Sequence, residues 1–191
     1  MAFLNSSYVD LKSSLNYPQE SLRDMARCGG EAVVAFATEL VSILQTGAGL
    51  VVGTVSAEGV PRAELAWAAT VVDAEGRRIR FVMSADDPAV IDNLQSGRVS
   101  LNAADVSTYQ SVQLKGRPVV VEAPTASDVE LARLQSEAFF AAVHLVDGNP
   151  MELLRRMLPH EMVAVEMIVE ESFDQTPGPA AGTALTGSID G

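Results

Sequence analysis

The middle of the chain is written in short apolar runs separated by turn residues. LVVGTVS (50–56) is strand-like, AEGV is a turn, RAELAWAATVV (62–72) is a long second strand, DAEGR a turn and RIRFVMS (78–84) a third strand. DPAVIDNLQSG predicts a short helix closed by Gly97, and RVSLNAADV (98–106) a fourth strand. SVQLKGRPVVVEA (111–123) is a fifth, with Gly116 and Pro118 marking a bulge or bend. EMVAVEMIVEESF (161–173) is the last.

Helical spacing brackets these strands. Val33, Phe36, Ala37, Leu40, Val41 and Leu44 predict a helix over 31–45, with Gly47 as its stop and a short helix at SLRDMARCGG before it. Residues 1–17 read as an arm. Residues 126–158 return to helix, capped by Asp128 or Ser127, with Leu131, Leu134, Phe139 and Val143 on the buried face. GNP breaks that helix, and MELLRRML forms a further short one. TPGPAAGTALTGSIDG is rich in Gly, Pro and Ala and reads as a largely mobile tail. The expectation is an α+β fold with about six strands in an antiparallel sheet closing into a barrel, not a doubly wound α/β fold. One domain spans residues 1–175, with a helical insertion at about 126–158 and a tail at 176–191.

Composition narrows the function classes. The 191 residues are 48% hydrophobic and carry a formal net charge of −12. Such acidity argues against nucleic acid and against an anionic membrane surface, though a small anion needs only a local basic or N–H-rich pocket. No long apolar run predicts a membrane span, the N-terminus lacks a signal-peptide pattern, and Cys28 is alone, so a reducing, cytoplasmic setting is expected. GxGxxG and P-loop patterns are absent. His144 and His160 belong to no HxxxH, CxxC or carboxylate cluster, so no metal site is expected.

The order helix, hairpin LVVGTVSAEGVPRAELAW, then RIRFVMSADDPAVIDNLQSGRVSLN and SVQLKGRPVVV resembles the FMN-binding split-barrel superfamily, which includes the pyridoxamine 5'-phosphate oxidase-like proteins. The resemblance covers residues 50–122, best over 81–101. It implies a Greek-key split barrel, a homodimer, and FMN held non-covalently between subunits. It places a phosphate-binding arginine at Arg62, and the family's lysine farther along that strand falls near Trp67, a candidate for flavin stacking against a default of core or dimer-interface packing. Met83, Ser84 and Ala85 would offer backbone contacts beside the ring or ribityl chain; the strand before the bend offers Gln110, Ser111 and Gln113, with Gln110 or Ser111 as a side-chain contact. The family's Ser-x-Lys falls here on Asp87, Pro88 and Ala89. Carboxylates at Asp86 and Asp87 would repel a phosphate, whereas a helix capping itself would use them. Arg77, Arg78, Arg98 and Lys115 are candidates to assist Arg62. The Arg-x-His of the vitamin B6 oxidases is missing from the chain's end, which reads EESFDQTPGPAAG, where Gln175 is a further candidate ligand contact. The resemblance implies an FMN-dependent oxidoreductase of unknown substrate. Two alternatives stand beside it: a binding barrel that has lost FMN, and a haem-binding barrel using His144 or His160.

Overall fold

The computed structural model describes residue 43, residues 47–73 and residues 77–185. Among these, β1 (Gly49–Val55), β2 (Pro61–Asp73), β3 (Arg78–Ser84), β4 (Val99–Ala104), β5 (Ser111–Glu122) and β6 (Met162–Asp174) form a closed barrel in the order β1-β2-β3-β6-β5-β4. Every pairing is antiparallel. Helix α1 (Pro88–Leu94) lies between β3 and β4, and α2 (Ala126–Asp147) with the short α3 (Met151–Leu154) lies between β5 and β6. The expected α+β barrel and its helical insertion are therefore present. The proposed arm, the helix over 31–45 except Ile43, and Cys28 lie outside the described residues.

Strand alternation fills the barrel. On β1, Leu50, Val52 and Thr54 are buried, while Val51, Gly53 and Val55 between them face outward. Phe81, Met83, Leu101, Leu114, Val165 and Met167 join Leu50 and Val52 in the interior, each at most 3% exposed. Helix α1 closes one end: Val90 and Leu94 enter this core, and Asn93 donates through Nδ2 to Thr54 Oγ1 at 3.2 Å.

A second core sits outside the barrel, between the sheet and α2. The register of β2 against β3 slips between Ala66 and Ala68. Ala66 remains inside the barrel, while Trp67 and Ala68 pack with Val82 against Ala132, Phe140, Val143 and Leu154. The bulge thus gives the outer layer two consecutive β2 residues. Gln135 locks the helix to it, accepting from Ala69 N–H at 2.9 Å and donating to Ala69 O at 3.0 Å. The buried face of α2 is rotated from the expected one: Ala132, Gln135, Ser136, Ala138, Phe140 and Val143 are buried, while Leu131, Leu134 and Phe139 are half-buried. Small residues, Gln135 and Ser136 face the sheet, and Leu131 and Phe139 pack at the margin of this core.

The start of α2 is also different. Thr125 is the cap, and Asp128 completes a capping box by accepting from Thr125 N–H at 2.8 Å. Asp128 is simultaneously gripped by Arg80 of β3, with Nε–Oδ1 at 2.8 Å and Nη2–Oδ2 at 2.7 Å. Glu122 and Glu166 approach the same guanidinium at 2.9 and 3.2 Å. The hydrogen bond to Asp128 holds Arg80 protonated beyond the usual arginine range, and the same bond holds the Asp128 carboxyl well below the usual carboxylate range.

The expected breaks in β5 occur at Lys115/Gly116 and Pro118/Val120. The tail is more ordered than expected as far as residue 185. Gly182 N–H donates to Asp174 O at 2.7 Å and Leu185 N–H to Ser172 O at 2.8 Å, so the chain folds back along β6. Residues 186–191 lie outside the described residues. Among the described residues no helix is long and apolar enough to cross a membrane.

Candidate functional site

The start of α1 holds its own acids. Asp87 caps the helix, accepting from Ala89 N–H at 2.9 Å, and its other oxygen lies 3.1 Å from Arg62 Nη1. Asp86 accepts from the backbone N–H groups of Glu161 and His160 at 3.1 and 3.4 Å. Ser84 Oγ accepts from Asp86 N–H at 3.3 Å, and Ala85 N–H donates to Glu161 O at 2.9 Å. A phosphate placed here would face two carboxylates and compete for donors already engaged. The residues do not fit a phosphate at this point.

They fit one better on the outer face of β1. A groove of about 610 Å³ runs along Gly53, Thr54, Val55 and Pro61 and is lined by Arg62, Arg98, Ser100, Lys115, Glu170 and Glu171. Register explains the convergence. Gly53 faces Ala63 on one side and Ser100 on the other, and Ser100 in turn faces Lys115. Gly53 keeps the floor low, since a Cβ there would lie 2.6 Å from Ser100 Oγ. Arg98 has no ion-pair partner among the described residues. Glu170 is engaged by Arg117 at 3.4 Å, and Lys115 Nζ lies 4.5 Å from the centre of the Phe173 ring. Arg98 and Lys115 thus stand beside Arg62 as the sequence suggested. Arg77 and Arg78 do not: Arg77 Nη2 lies 3.5 Å from Ser172 Oγ, and Arg78 faces Asp73 and Glu166 at 3.9 and 4.0 Å.

The next outward row toward the start of β1 is Leu65, Val51, Asn102 and Gln113. It places two amide side chains beside Val51. Gln175 Nε2 reaches Gln113 Oε1 at 3.4 Å, so Gln175 joins this face.

Beyond it lies an apolar groove of about 430 Å³, walled by Val51, Leu65, Trp67, Val106, Tyr109, Phe139 and Val146 among others. Trp67 is 4% exposed and meets Phe140 edge-on at 6.0 Å between ring centres. Its Nε1 has no hydrogen-bond partner among the described residues. Tyr109 is 64% exposed and holds a left-handed backbone at φ 61°, which costs a non-glycine residue on the order of 1–2 kcal/mol. Asp105 fixes the loop behind it, accepting from Ser107 N–H, Ser107 O–H and Thr108 N–H at 2.6–2.8 Å.

The remaining sequence candidates scatter. Met83 lies in the barrel interior at 0% exposure, so its side chain is enclosed by core residues. Gln110 and Ser111 line a third, smaller cavity of about 270 Å³ with Asp174, Thr176 and Leu185. Ser111 is clipped to the tail there, donating from N–H to Thr176 Oγ1 at 3.1 Å and accepting from Gln175 N–H at 2.9 Å. His144 Nδ1 lies 2.7 Å from Asn149 O, and His160 is exposed. Among the described residues no group of three or more His, Cys, Asp or Glu side chains could hold a metal ion. Ser100, Asn102 and Tyr109 were not singled out in the sequence, and Phe139 only as a residue of the helix's buried face. An outward polar alternation within RVSLNAADV was the available signal for the first two.

No family model matches the chain, and no curated protein matches it. Solved structures do. A pyridoxamine 5'-phosphate oxidase-related, FMN-binding protein from Nostoc punctiforme is 12% identical, over 80% of this chain and 88% of that one, with a TM-score of 0.44. HupZ of Group A Streptococcus is 16% identical over 74% and 94%, with a TM-score of 0.43. HutZ of Vibrio cholerae, described as a heme storage protein, is 14% identical over 72% and 92%, with a TM-score of 0.43. At these values the likeness assigns neither cofactor nor activity, and the ligand has to be argued from this chain's own residues.

Proposed function

We propose that the chain binds FMN on the outer face of β1 and serves as a flavin-dependent oxidoreductase. One observation carries the reading: a single strand face runs from a cationic end to an apolar end. Arg62, Arg98 and Lys115 stand at one end, Asn102 and Gln113 offer amides in the middle, and Val51 leads into the aromatic groove. From Gly49 to Val55 the strand extends about 20 Å. That order and length suit a ligand with a dianion at one end and a planar heterocycle at the other. When bound, the flavin supplies hydride or electron transfer. The protein's part is to hold the phosphate with Arg98 and Lys115, orient the ring edge with the two amides, and shield one ring face with Val51.

The described helices pack mainly on β1, β2 and β3, leaving Val119 and Val121 of β5 38% and 45% exposed. Both lie beyond Gly116, on the half of β5 that pairs with β6, and their exposure supports a homodimer covering that apolar side. Sedimentation equilibrium is expected to return twice the 20.2 kDa mass of one chain.

A second reading is a binding barrel that has lost FMN. The Asp87–Arg62 pair favours it, because the phosphate position implied by the resemblance is satisfied internally. The absorbance spectrum of freshly purified protein separates the two. Oxidised-flavin bands, with FMN released on heating, support the first. A colourless protein with no thermal shift in excess FMN supports the second.

A further inference from the structure

We propose that the tail forms one edge of the flavin site, and that Gln175 is a positioning residue holding Gln113 so that its Nε2, not its Oε1, is presented to the ring. This rests on the flavin reading above and adds to it a place for the tail. Strand β6 ends at Asp174, yet its alternation continues beyond. Phe173, Gln175 and Pro177 fall at every second position. Phe173 lies opposite Gln113 in register, and the centre of its ring is 4.5 Å from Lys115 Nζ. Gln175 Nε2 donates to Gln113 Oε1 at 3.4 Å. Pro177 lines the aromatic groove with Val51. The three residues thus follow the β1 face in its own order, from the cationic end through the amide row to the apolar end.

The backbone of this segment is fixed. Gln175 N–H donates to Ser111 O at 2.9 Å, Thr176 Oγ1 accepts from Ser111 N–H at 3.1 Å, and Thr176 N–H donates to Asp174 Oδ1 at 2.8 Å. Leu185 packs against the barrel core farther along. Those contacts fasten the tail without the Gln175 side chain, whose one hydrogen bond goes to Gln113. A glutamine amide carries an acceptor oxygen on one side and a donor NH2 on the other. With Oε1 engaged by Gln175, the free side of Gln113 is Nε2, which has no partner among the described residues. A donor aimed at a flavin ring edge gains strength as the ring gains electron density, so it favours the reduced flavin over the oxidised one.

The test titrates oxidised and chemically reduced FMN into the full chain and into Gln175→Met, Gln113→Met and the double variant. Methionine keeps the side-chain length and removes the amide. The quantity read is the ratio of affinities for reduced and oxidised FMN, with the melting temperature beside it. Gln175→Met should lower that ratio about threefold to tenfold, the worth of one hydrogen bond, at an unchanged melting temperature. Gln113→Met should lower it at least as far, and adding Gln175→Met to it should change nothing more, because Gln175 acts through Gln113. An unchanged ratio in Gln175→Met, with or without a lower melting temperature, would mark a purely structural tail and overturn the proposal. Losses that add in the double variant would overturn it too, since Gln175 would then act on the ring independently of Gln113. Wild-type protein that binds neither form of FMN would overturn the flavin reading along with it, whereas FMN bound with a ratio that Gln175→Met does not move defeats only the role of the tail.

Discussion

Asp87 joins three roles in one side chain: it caps α1, pairs with Arg62, and fills the position where a phosphate-binding helix start would be open. Asp87→Ser keeps a capping oxygen and removes the charge. If the β1 face holds a phosphate, this variant should bind FMN several-fold more tightly, because Arg62 is released toward the groove; titration of both proteins checks it. Gly116 is a second residue with a sharp expectation. A Cβ there would collide with the backbone carbonyl oxygen of Ile168 on the neighbouring strand. Gly116→Ala should therefore lose about 2–4 kcal/mol, read as a lower urea midpoint. Both residues were legible in the sequence, Asp87 from its place before Pro88 and Gly116 from its place in a strand. Tyr109 was not, because nothing in the STYQ stretch distinguishes a tyrosine held in a left-handed backbone from one in a relaxed loop.

At the scale of elements, α2 is held to the barrel by the Arg80–Asp128 pair and by Gln135. Asp128 is the partner with a pH signature. Its carboxyl is held below the usual range, first by the Arg80 hydrogen bond, so the folded state binds its proton less tightly than the unfolded state. Its contribution is fully present above the unfolded value, 3.8, and is lost as pH falls below it. Thermal melts should show a steeper loss below about pH 4 in the wild type than in Asp128→Asn. At pH 7 that variant should be less stable by about 2–3 kcal/mol, since it leaves a mostly buried guanidinium under-paired and weakens the cap. Strand positions were readable because turn residues punctuate them. The buried face of α2 was not, because periodicity marks an apolar stripe and cannot reveal that the strip of β2 beneath it accepts Gln135 and Ser136. The tail misled for a related reason: Gly, Pro and Ala composition is silent about backbone bonds such as Leu185 to Ser172.

At the scale of the molecule, the barrel order brings β4 beside β1, and this alone assembles the candidate face. Gly53, Ser100 and Lys115 are far apart in sequence and adjacent in register. No linear motif encodes that row, which is why Arg62 was visible as a candidate while Ser100 and Asn102 were not. The same closure separates Met83 from Arg62, one inside the wall and the other outside it. The measurement that tests the central claim most directly is an equilibrium titration of the pigment-free protein with FMN and with riboflavin, which lacks the phosphate. Binding through Arg98 and Lys115 predicts at least tenfold tighter binding of FMN, lost when both are replaced by glutamate. Equal affinity for the two flavins, or no binding of either, would contradict a phosphate site on β1.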